Sequence, residues 1–196
     1  SGESSSEAEL AGFGIDPSVT IKVASRFSTN LGISYSHDIN DAQWYGNIGD
    51  VATDTAHVTF ARLDQRSVSA SVRVNYTVSP TLSVQVYAQP FMTGGPYTDL
   101  REVSNPRAAG YLDRWLPYGS SALNDGFNFR QFRSNSVVRW EYRPGSSLYF
   151  VWAQERTSFE HGPNTPAFNS TQDARSLFGS HPGNVFLVKG SYWLSL

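Results

Sequence analysis

Residues 67–89, SVSASVRVNYTVSPTLSVQVYAQ, are the stretch that decides the fold. Apolar residues at the even positions from Val68 to Val78 alternate with Ser, Arg, Asn and Thr, and the alternation resumes after Ser79-Pro80. A period of two places successive side chains on opposite faces of a β-strand. Proline cannot donate to a strand ladder, so Ser79-Pro80 predicts a turn. The stretch therefore predicts a hairpin of two long amphipathic strands.

Residues 134–152, SNSVVRWEYRPGSSLYFVW, predict a second hairpin of the same kind. Trp140 and Tyr142 share one face of its first strand, whereas Arg139 and Glu141 share the other. The Pro-Gly dipeptide between the strands suits the centre of a type II turn. In a soluble sandwich the aromatic side chains would point inward and the charges towards water. In a membrane barrel the same pattern is inverted.

The alternation recurs along most of the chain, and helical periodicity is nearly absent. We predict seven strands, over residues 19–27, 31–37, 57–78, 81–92, 127–143, 147–158 and 184–196. Several reach the roughly 9–11 residues of a tilted membrane strand. Short connections such as Ser28-Thr29-Asn30 alternate with long ones over 38–56, 93–126 and 159–183. Outer-membrane barrels alternate short periplasmic turns with long outer loops in this way.

We therefore predict an all-β, antiparallel up-and-down meander that forms the C-terminal part of an outer-membrane β-barrel. A soluble β-sandwich is the alternative. Residues 1–18 would be a flexible N-terminal segment or an outer loop, and residues 19–196 the barrel domain. Single-chain bacterial barrels have even strand numbers, so seven strands predict that upstream strands are missing. The expected location is the bacterial outer membrane.

Composition narrows the classes of protein further. Charged residues make up 16% of the chain, below the roughly 25% of typical soluble domains. A net charge of -2 gives no reason to expect a nucleic-acid partner. The chain has no cysteine, which excludes disulfides and thiolate chemistry. No apolar run approaches the roughly 18 residues of a membrane-spanning helix.

The last predicted strand, NVFLVKGSYWLSL over residues 184–196, alternates up to its final residue. It resembles the C-terminal assembly signal of outer-membrane barrels, although Leu196 replaces the commoner terminal Phe and Gly190 is shifted. The pattern predicts outer-membrane lipid and the barrel assembly machinery as partners. A last buried strand of a soluble protein would explain the alternation equally well.

The polar faces of the predicted strands supply a row of charged and amide side chains that would line a barrel lumen. Arg–carboxylate pairs across neighbouring strands would give this row a structural role. Lumen residues also tune the selectivity of a pore. The predicted lumen row is Arg73, Gln85, Arg139, Glu141, Arg143, Glu155 and Lys189.

The long predicted loops hold aromatic residues that would contact a glycan or pin the loops onto the barrel mouth. Carbohydrate is therefore a further possible partner. These aromatic residues are Trp44, Tyr45, Tyr97, Tyr111, Trp115 and Tyr118.

No catalytic, metal-binding or cofactor-binding residue is predicted. Glycoside hydrolysis needs two carboxyl groups a few ångströms apart. The predicted register instead sets Glu141 opposite Tyr149 and Glu155 opposite Asn135. The histidines lack metal-ligand spacing. His37 and His57 flank the predicted 38–56 loop, so they could approach each other at the barrel rim near Asp38 and Asp41, where polar loop-end residues are the simpler account.

Three long strings resemble the C-terminal region of a bacterial family, domain of unknown function 5916. The strings are LSVQVYAQPFMTGGPYTDLREVSNPRA (82–108), FNFRQFRSNSVVRWEYRPGSSLYFVWAQERTSF (127–159) and ARSLFGSHPGNVFLVKGSYWLSL (174–196). The resemblance covers about residues 20–196. It implies an outer-membrane barrel that follows a carbohydrate-binding module like family 9, and an envelope role in glycan binding or uptake. It implies no catalytic residue here, since any hydrolase activity would belong to the N-terminal module.

Three functions stay open from the sequence. The first is a barrel segment that serves as a pore, anchor or envelope component of a glycan-binding or uptake protein, without catalysis. The second is a soluble β-rich carbohydrate-binding module. The third is a glycoside-processing enzyme.

Overall fold

The computed structural model describes residues 10–49, 56–119 and 125–194. It confirms an all-β, antiparallel meander. The strands are β1 (Leu10–Ile15), β2 (Ser18–Val23), β3 (Phe27–Ile48), β4 (His57–Ser79), β5 (Leu82–Val103), β6 (Trp115–Pro117), β7 (Asp125–Arg143), β8 (Ser146–Pro163) and β9 (Gly183–Ser191). A helix, α1 (Ser170–Gly179), and a single 3₁₀ turn, Leu112–Arg114, complete the described elements.

All nine strands belong to one sheet, in the order β1-β3-β4-β5-β7-β8-β9, with β2 also on β3 and β6 on β5. β1 and β2 keep one register against β3, from Leu10 opposite Asn40 to Val23 opposite Phe27. They therefore act as one edge strand that breaks at Pro17. The sheet is open in the described ranges, with β1/β2 and β9 as its edges.

Two tight turns lie where the sequence predicts them, and a third does not. Ser79 pairs with Leu82 across the first, and Arg143 with Ser146 across the second. The predicted turn at 28–30 is wrong, because these residues pair with both β2 and β4. The chain reverses instead at residues 24–26, where Ala24 has a φ of 57°.

We call the part of the sheet nearer these turns the turn-side half (residues 18–34, 69–91, 131–157 and 183–191) and the rest of the strands the outer half. A row of paired residues across the sheet is a rung. One rung of the turn-side half crosses seven strands and carries only apolar or aromatic side chains. It is Val23–Phe27–Tyr76–Val84–Val138–Phe150–Val188.

The face that carries this rung is the apolar face, and the opposite one is the polar face. Three residues further towards the outer half, a rung of the polar face is Thr20–Asn30–Arg73–Tyr87–Asn135–Ala153–Val185. This rung is polar from β2 to β7 and apolar on β8 and β9.

The turn-side half is a single layer, and no second sheet covers its apolar face in the described residues. Trp140, Phe150 and Trp152 keep 46%, 45% and 43% of their surface exposed. A β-sandwich would cover them with another sheet about 10 Å away. The described residues therefore do not form the predicted alternative, a soluble β-sandwich.

The strands of the outer half run further than the sequence predicts. β3 continues to Ile48, β5 to Val103 and β8 to Pro163, all inside predicted loops. Residues 10–15, predicted as part of a flexible segment or outer loop, form β1. β9 ends at Ser191, earlier than predicted, and residues 195–196 lie outside the described residues.

The polarity of the two faces inverts in the outer half, which explains why alternation did not reveal these strands. On the side of the apolar face, Arg66 lies opposite His37, and Arg130 opposite Met92. On the side of the polar face, Leu63 lies opposite Tyr97. The buried apolar side chains of the described residues cluster in the outer half and its connections: Ala61, Leu63, Met92, Leu100, Tyr111 and Leu177.

α1 begins after Asn169, whose side chain accepts a hydrogen bond from the Gln172 amide at 3.0 Å. This is the usual role of an N-cap residue. Phe178 of α1 packs on Phe132 of the apolar face, with ring centroids 5.2 Å apart. Within the described ranges, no helix combines the length and the apolar composition needed to cross a membrane.

The β4 and β5 backbones approach closely where the two halves meet. A Cβ atom on Gly95 would lie 2.1 Å from the Asp64 carbonyl oxygen and 3.0 Å from the Gln65 Cα. Both contacts are with backbone, which a rotamer change does not relieve. Position 95 therefore requires glycine.

We expect Gly95→Ala to lower the free energy of unfolding by about 3 kcal/mol, because the new methyl group overlaps the β4 backbone. Urea unfolding followed by tryptophan fluorescence measures the effect. Gly46→Ala is the matched control, since nothing lies within 4 Å of a Cβ atom there. Equal stability of the two variants would contradict the close approach.

Candidate functional site

The polar face brings together most of the predicted lumen row. Registers place Arg73, Gln85, Arg139, Glu141, Glu155 and Lys189 on this face. Arg143 lies apart, beyond a bulge at the end of β7, and its Nη1 donates to the Tyr192 hydroxyl at 3.1 Å. Arg133, which the sequence analysis missed, joins the row on β7.

Two arginine–carboxylate pairs lie on the polar face, one within β7 and one between β7 and β8. Arg139 Nη2 lies 3.0 Å from Glu141 Oε2, and Arg139 Nε donates to the Tyr149 hydroxyl at 3.3 Å. Arg133 Nη2 lies 3.3 Å from Glu155 Oε1. Each carboxylate is therefore held by a guanidinium group, the arrangement that charge-assisted hydrogen bonds favour.

The predicted register of this hairpin is wrong by two residues. Glu141 lies opposite Ser147 rather than Tyr149, and Glu155 opposite Arg133 rather than Asn135. The turn contains only Pro144 and Gly145, and a bulge between Glu141 and Arg143 precedes it on β7, which the sequence count did not include. The corrected register is what brings Arg133 to Glu155.

Arg73 lies in the middle of the polar face. Its guanidinium carbon is 5.3 Å from the centroid of the Tyr87 ring, within cation–π range. The Tyr87 hydroxyl donates to Gln89 Oε1 at 2.9 Å. Tyr87 is therefore positioned on one side by the guanidinium group and on the other by an amide.

Two grooves meet at Tyr87 and Asn135. The first, of about 390 Å³, is lined by Arg73, Asn75, Gln85, Val86, Tyr87, Asn135 and Val137. The second, of about 490 Å³, runs on across β7, β8 and β9 and includes Arg133 and Glu155. Together they form a continuous depression over the polar face, bordered by amide, guanidinium and phenol groups.

The aromatic residues predicted for loops occupy several places. Trp44, Tyr45 and Tyr97 lie in long strands, and Trp115 begins β6. Tyr111 and Tyr118 lie in the connection between β5 and β7. Trp44 is 55% exposed, so its ring is accessible for contact with a partner.

Arg101 gives two of these aromatic residues a structural role. This buried guanidinium lies 4.8 Å from the Trp115 ring centroid and 5.7 Å from the Tyr111 centroid. Its Nη2 is 3.4 Å from Asp41 Oδ2. Tyr111 and Trp115 thus pack around an ion pair of the outer half instead of offering a free platform.

Tyr45 and Tyr97 meet Asp125 at the outer end of the sheet, with their ring centroids 5.3 Å apart. The Tyr45 hydroxyl donates to Asp125 Oδ2. Burial, and then this hydrogen bond to the carboxylate, raise the pKa of Tyr45 to about 12. Burial and the charge of Asp125 also raise the pKa of Tyr97. Both phenols are therefore neutral hydrogen-bonding groups at physiological pH.

The histidines predicted to approach each other across a loop have separate partners. His37 Nε2 lies 2.8 Å from Asp64 Oδ1, and His57 Nδ1 contacts Glu102. The His57 ring also packs against Tyr118, 5.0 Å between centroids. The described residues contain no group of three or more His, Cys, Asp or Glu placed to hold a metal ion.

A family model described as Domain of unknown function (DUF5916) matches residues 5–196, nearly the whole chain. The chain belongs to this family. The resemblance that the sequence predicts is thus confirmed for the family itself, whereas the family-9-like module stays an expectation. No curated protein and no solved structure matches the chain.

A polar cluster that sequence reasoning missed secures α1 to the sheet of this DUF5916 chain. Asp173 and Arg130 are each 4% exposed, and Asp173 Oδ1 lies 3.4 Å from Arg130 Nε. Asn128 Nδ2 donates to the same oxygen at 3.0 Å, and Glu160 also contacts Arg130. Their separation along the chain hides the cluster from any local pattern, because β7 and α1 meet only in three dimensions.

We expect Asp173→Ala to release α1 from β7 in the DUF5916 chain, at a cost of about 3 kcal/mol. Arg130 then keeps only the half-exposed Glu160 as an ion-pair partner, and the buried Asn128 amide loses its carboxylate acceptor, so hydrogen bonds to a charged group are lost. Amide hydrogen exchange of α1 measures the release.

Arg175→Ala is the control for this release, because Arg175 is exposed on the same helix and has no ion pair among the described residues. Unchanged exchange in Asp173→Ala, or equal acceleration in both variants, would contradict the role of the cluster.

Proposed function

We propose that the chain forms part of the wall of a bacterial outer-membrane β-barrel, with its apolar face towards lipid and its polar face towards the lumen. The barrel would serve as a pore, anchor or envelope component of a glycan-binding or uptake protein. One observation carries the proposal: among the described residues, no second sheet covers an apolar face that spans seven strands, and α1 packs on it only near Phe132. Exposed apolar areas of this extent mark an interaction surface.

The height of the apolar face supports lipid as the covering partner. On β4 the face stays apolar or aromatic from Val78 to Val68, and Arg66 follows. Ten residue steps of about 3.3 Å span roughly 33 Å along the strand. A tilt of about 40° reduces this to about 25 Å of height, the thickness of the apolar band of outer-membrane barrels.

The change of polarity between the two halves also supports a water boundary. Arg66 and Arg130 lie on the same side of the sheet as the apolar face, but only beyond its end. Arg156 is the charged residue of the apolar face itself, and its Nη1 donates to the Ser180 carbonyl at 2.7 Å beside α1. A lipid-facing surface requires this distribution, because charge is costly at the bilayer midplane and tolerated near the interface.

The two open edges support completion by further strands. β1/β2 and β9 each present one side without a partner strand in the described residues. Such edges are templates for pairing, and only closure removes them from a membrane sheet. We propose that added strands close the barrel and that the assembly machinery acts through the C-terminal strand.

The proposal assigns no catalysis to this chain. Glu141 and Glu155 each pair with an arginine on the polar face, so neither is arranged as an acid–base pair. Carbohydrate stays a proposed partner at the outer end, where Trp44 offers an exposed indole ring.

We expect brominated phospholipid vesicles to quench Trp140 and Trp152 in variants that keep one tryptophan each. Both indoles lie on the apolar face. The Trp152 rung lies four residues, or about 13 Å, further from the turns than Trp140. Trp152 should therefore respond more to bromines deep in the acyl chain, and Trp140 to shallow ones.

A variant that keeps only Trp115 is the control, because this indole packs on Arg101 in the outer half. Quenching of Trp152 no stronger than that of Trp115 would exclude a lipid-facing wall. A chain that is folded and monodisperse without detergent would instead favour the soluble carbohydrate-binding module.

A further inference from the structure

The polar face of the turn-side half carries an excess of positive charge. Its cations are Lys22, Arg73, Arg133, Arg139 and Lys189, and its carboxylates are Glu141 and Glu155. The whole chain has a net charge of -2, so the cations are concentrated on this surface. Asp16 borders the face only at the break of the edge strand.

Both carboxylates are already neutralised by neighbours. Glu141 pairs with Arg139, and Glu155 with Arg133. Lys22, Arg73 and Lys189 form no ion pair among the described residues. The uncompensated charge of this face is therefore cationic, and a row of like charge attracts counter-ions from solution.

Arg73 is the cation best placed to hold an anion. The residue is exposed, and its guanidinium carbon lies over the Tyr87 ring. A guanidinium group presents its N–H donors as a planar fork that matches carboxylate or phosphate oxygens. No hydrogen bond of these donors is present among the described residues.

Amide groups beside Arg73 provide further polar contacts. Asn135 lies in the same rung, next to Tyr87, and Gln85 lies two residues nearer the turns on β5. Neither side chain makes a hydrogen bond to the described residues. Adjacent strands are about 4.8 Å apart, so Asn135 lies about 10 Å from Arg73 across β5, and an organic anion of that length reaches the guanidinium group and both amides.

We propose that this groove is a binding subsite for small organic anions, with Arg73 on the carboxylate or phosphate group and Gln85 and Asn135 on neighbouring polar groups. In a closed barrel the subsite would favour anions over cations, as rings of Arg and Lys do in other pores. That role in permeation rests on the proposed function. The subsite itself does not require a membrane.

The test is a titration of the detergent-solubilised chain with a fluorescent pyrene trisulfonate. We expect binding that weakens between about 20 and 200 mM salt. Arg73→Gln should bind about tenfold more weakly, as expected for lost hydrogen bonds to a charged group. Arg73→Lys keeps the charge but loses the planar fork, and should retain part of the affinity. Lys189→Gln should weaken binding less than Arg73→Gln.

Arg107→Gln is the matched control. It makes the same charge change at an exposed position between β5 and β6, away from the polar face. Inorganic phosphate and gluconate in separate arms show which anionic group displaces the probe. Neutral glucose and cationic choline should not displace it.

Absence of probe binding would overturn the subsite, as would equal affinity of Arg73→Gln and the unaltered chain, or an equal loss in Arg107→Gln. Lipid quenching of Trp152 on the same preparations separates the two proposals. Quenching of Trp152 without anion binding would contradict only the anion subsite. Anion binding without quenching would contradict only the lipid-facing wall.

Discussion

One continuous register across seven strands is the constraint on which the structure depends. The rung from Val23 to Val188 is uniformly apolar or aromatic only because each strand pairs with its neighbour without a net shift of one residue. A slip of one residue at β5 would move Val84 and Val86 to the polar face and set Gln85 and Tyr87 towards the apolar one. Tight turns at Pro80 and Pro144-Gly145 keep the register in phase.

The two halves of the sheet differ in the interactions that stabilise them. In the turn-side half, none of the apolar side chains among the described residues is fully buried, and lipid would cover the apolar face in the proposed barrel wall. The outer half has ion pairs such as Arg62 with Asp41, at 3.0 Å, and buried residues such as Leu63. The close approach of the β4 and β5 backbones at Gly95 lies at the boundary between the turn-side half and the outer half. The polarity of each face changes at this level, which is where the proposed barrel wall would pass from lipid to water.

The turn-side half was predictable because both its strands and its turns leave local signals. Period-two alternation marks β4 and β5, and the Pro-Gly dipeptide marks the β7–β8 turn. The outer half was not predictable, because the mixed polarity of residues 38–48 is indistinguishable from that of a loop. Ion pairs of Asp41 with Arg62 on β4 and Arg101 on β5 stabilise these residues as a strand. The turn at 24–26 escaped prediction because Ala24 adopts a left-handed conformation that local propensity does not favour.

The sequence by itself determined the all-β class, the antiparallel meander and the side chains of each face in the turn-side half, because strand periodicity is local. Its long characteristic strings also determined the membership of the DUF5916 family. Only the tertiary structure decided which charges meet. The bulge on β7 sets the register that pairs Arg133 with Glu155. The packing of α1 on β7 brings Asp173 to Arg130. Arg73 has no carboxylate partner among the described residues. The physical reason is that pairing depends on register and on packing between distant segments, and a shift of two residues leaves the pattern of faces unchanged while replacing every neighbour.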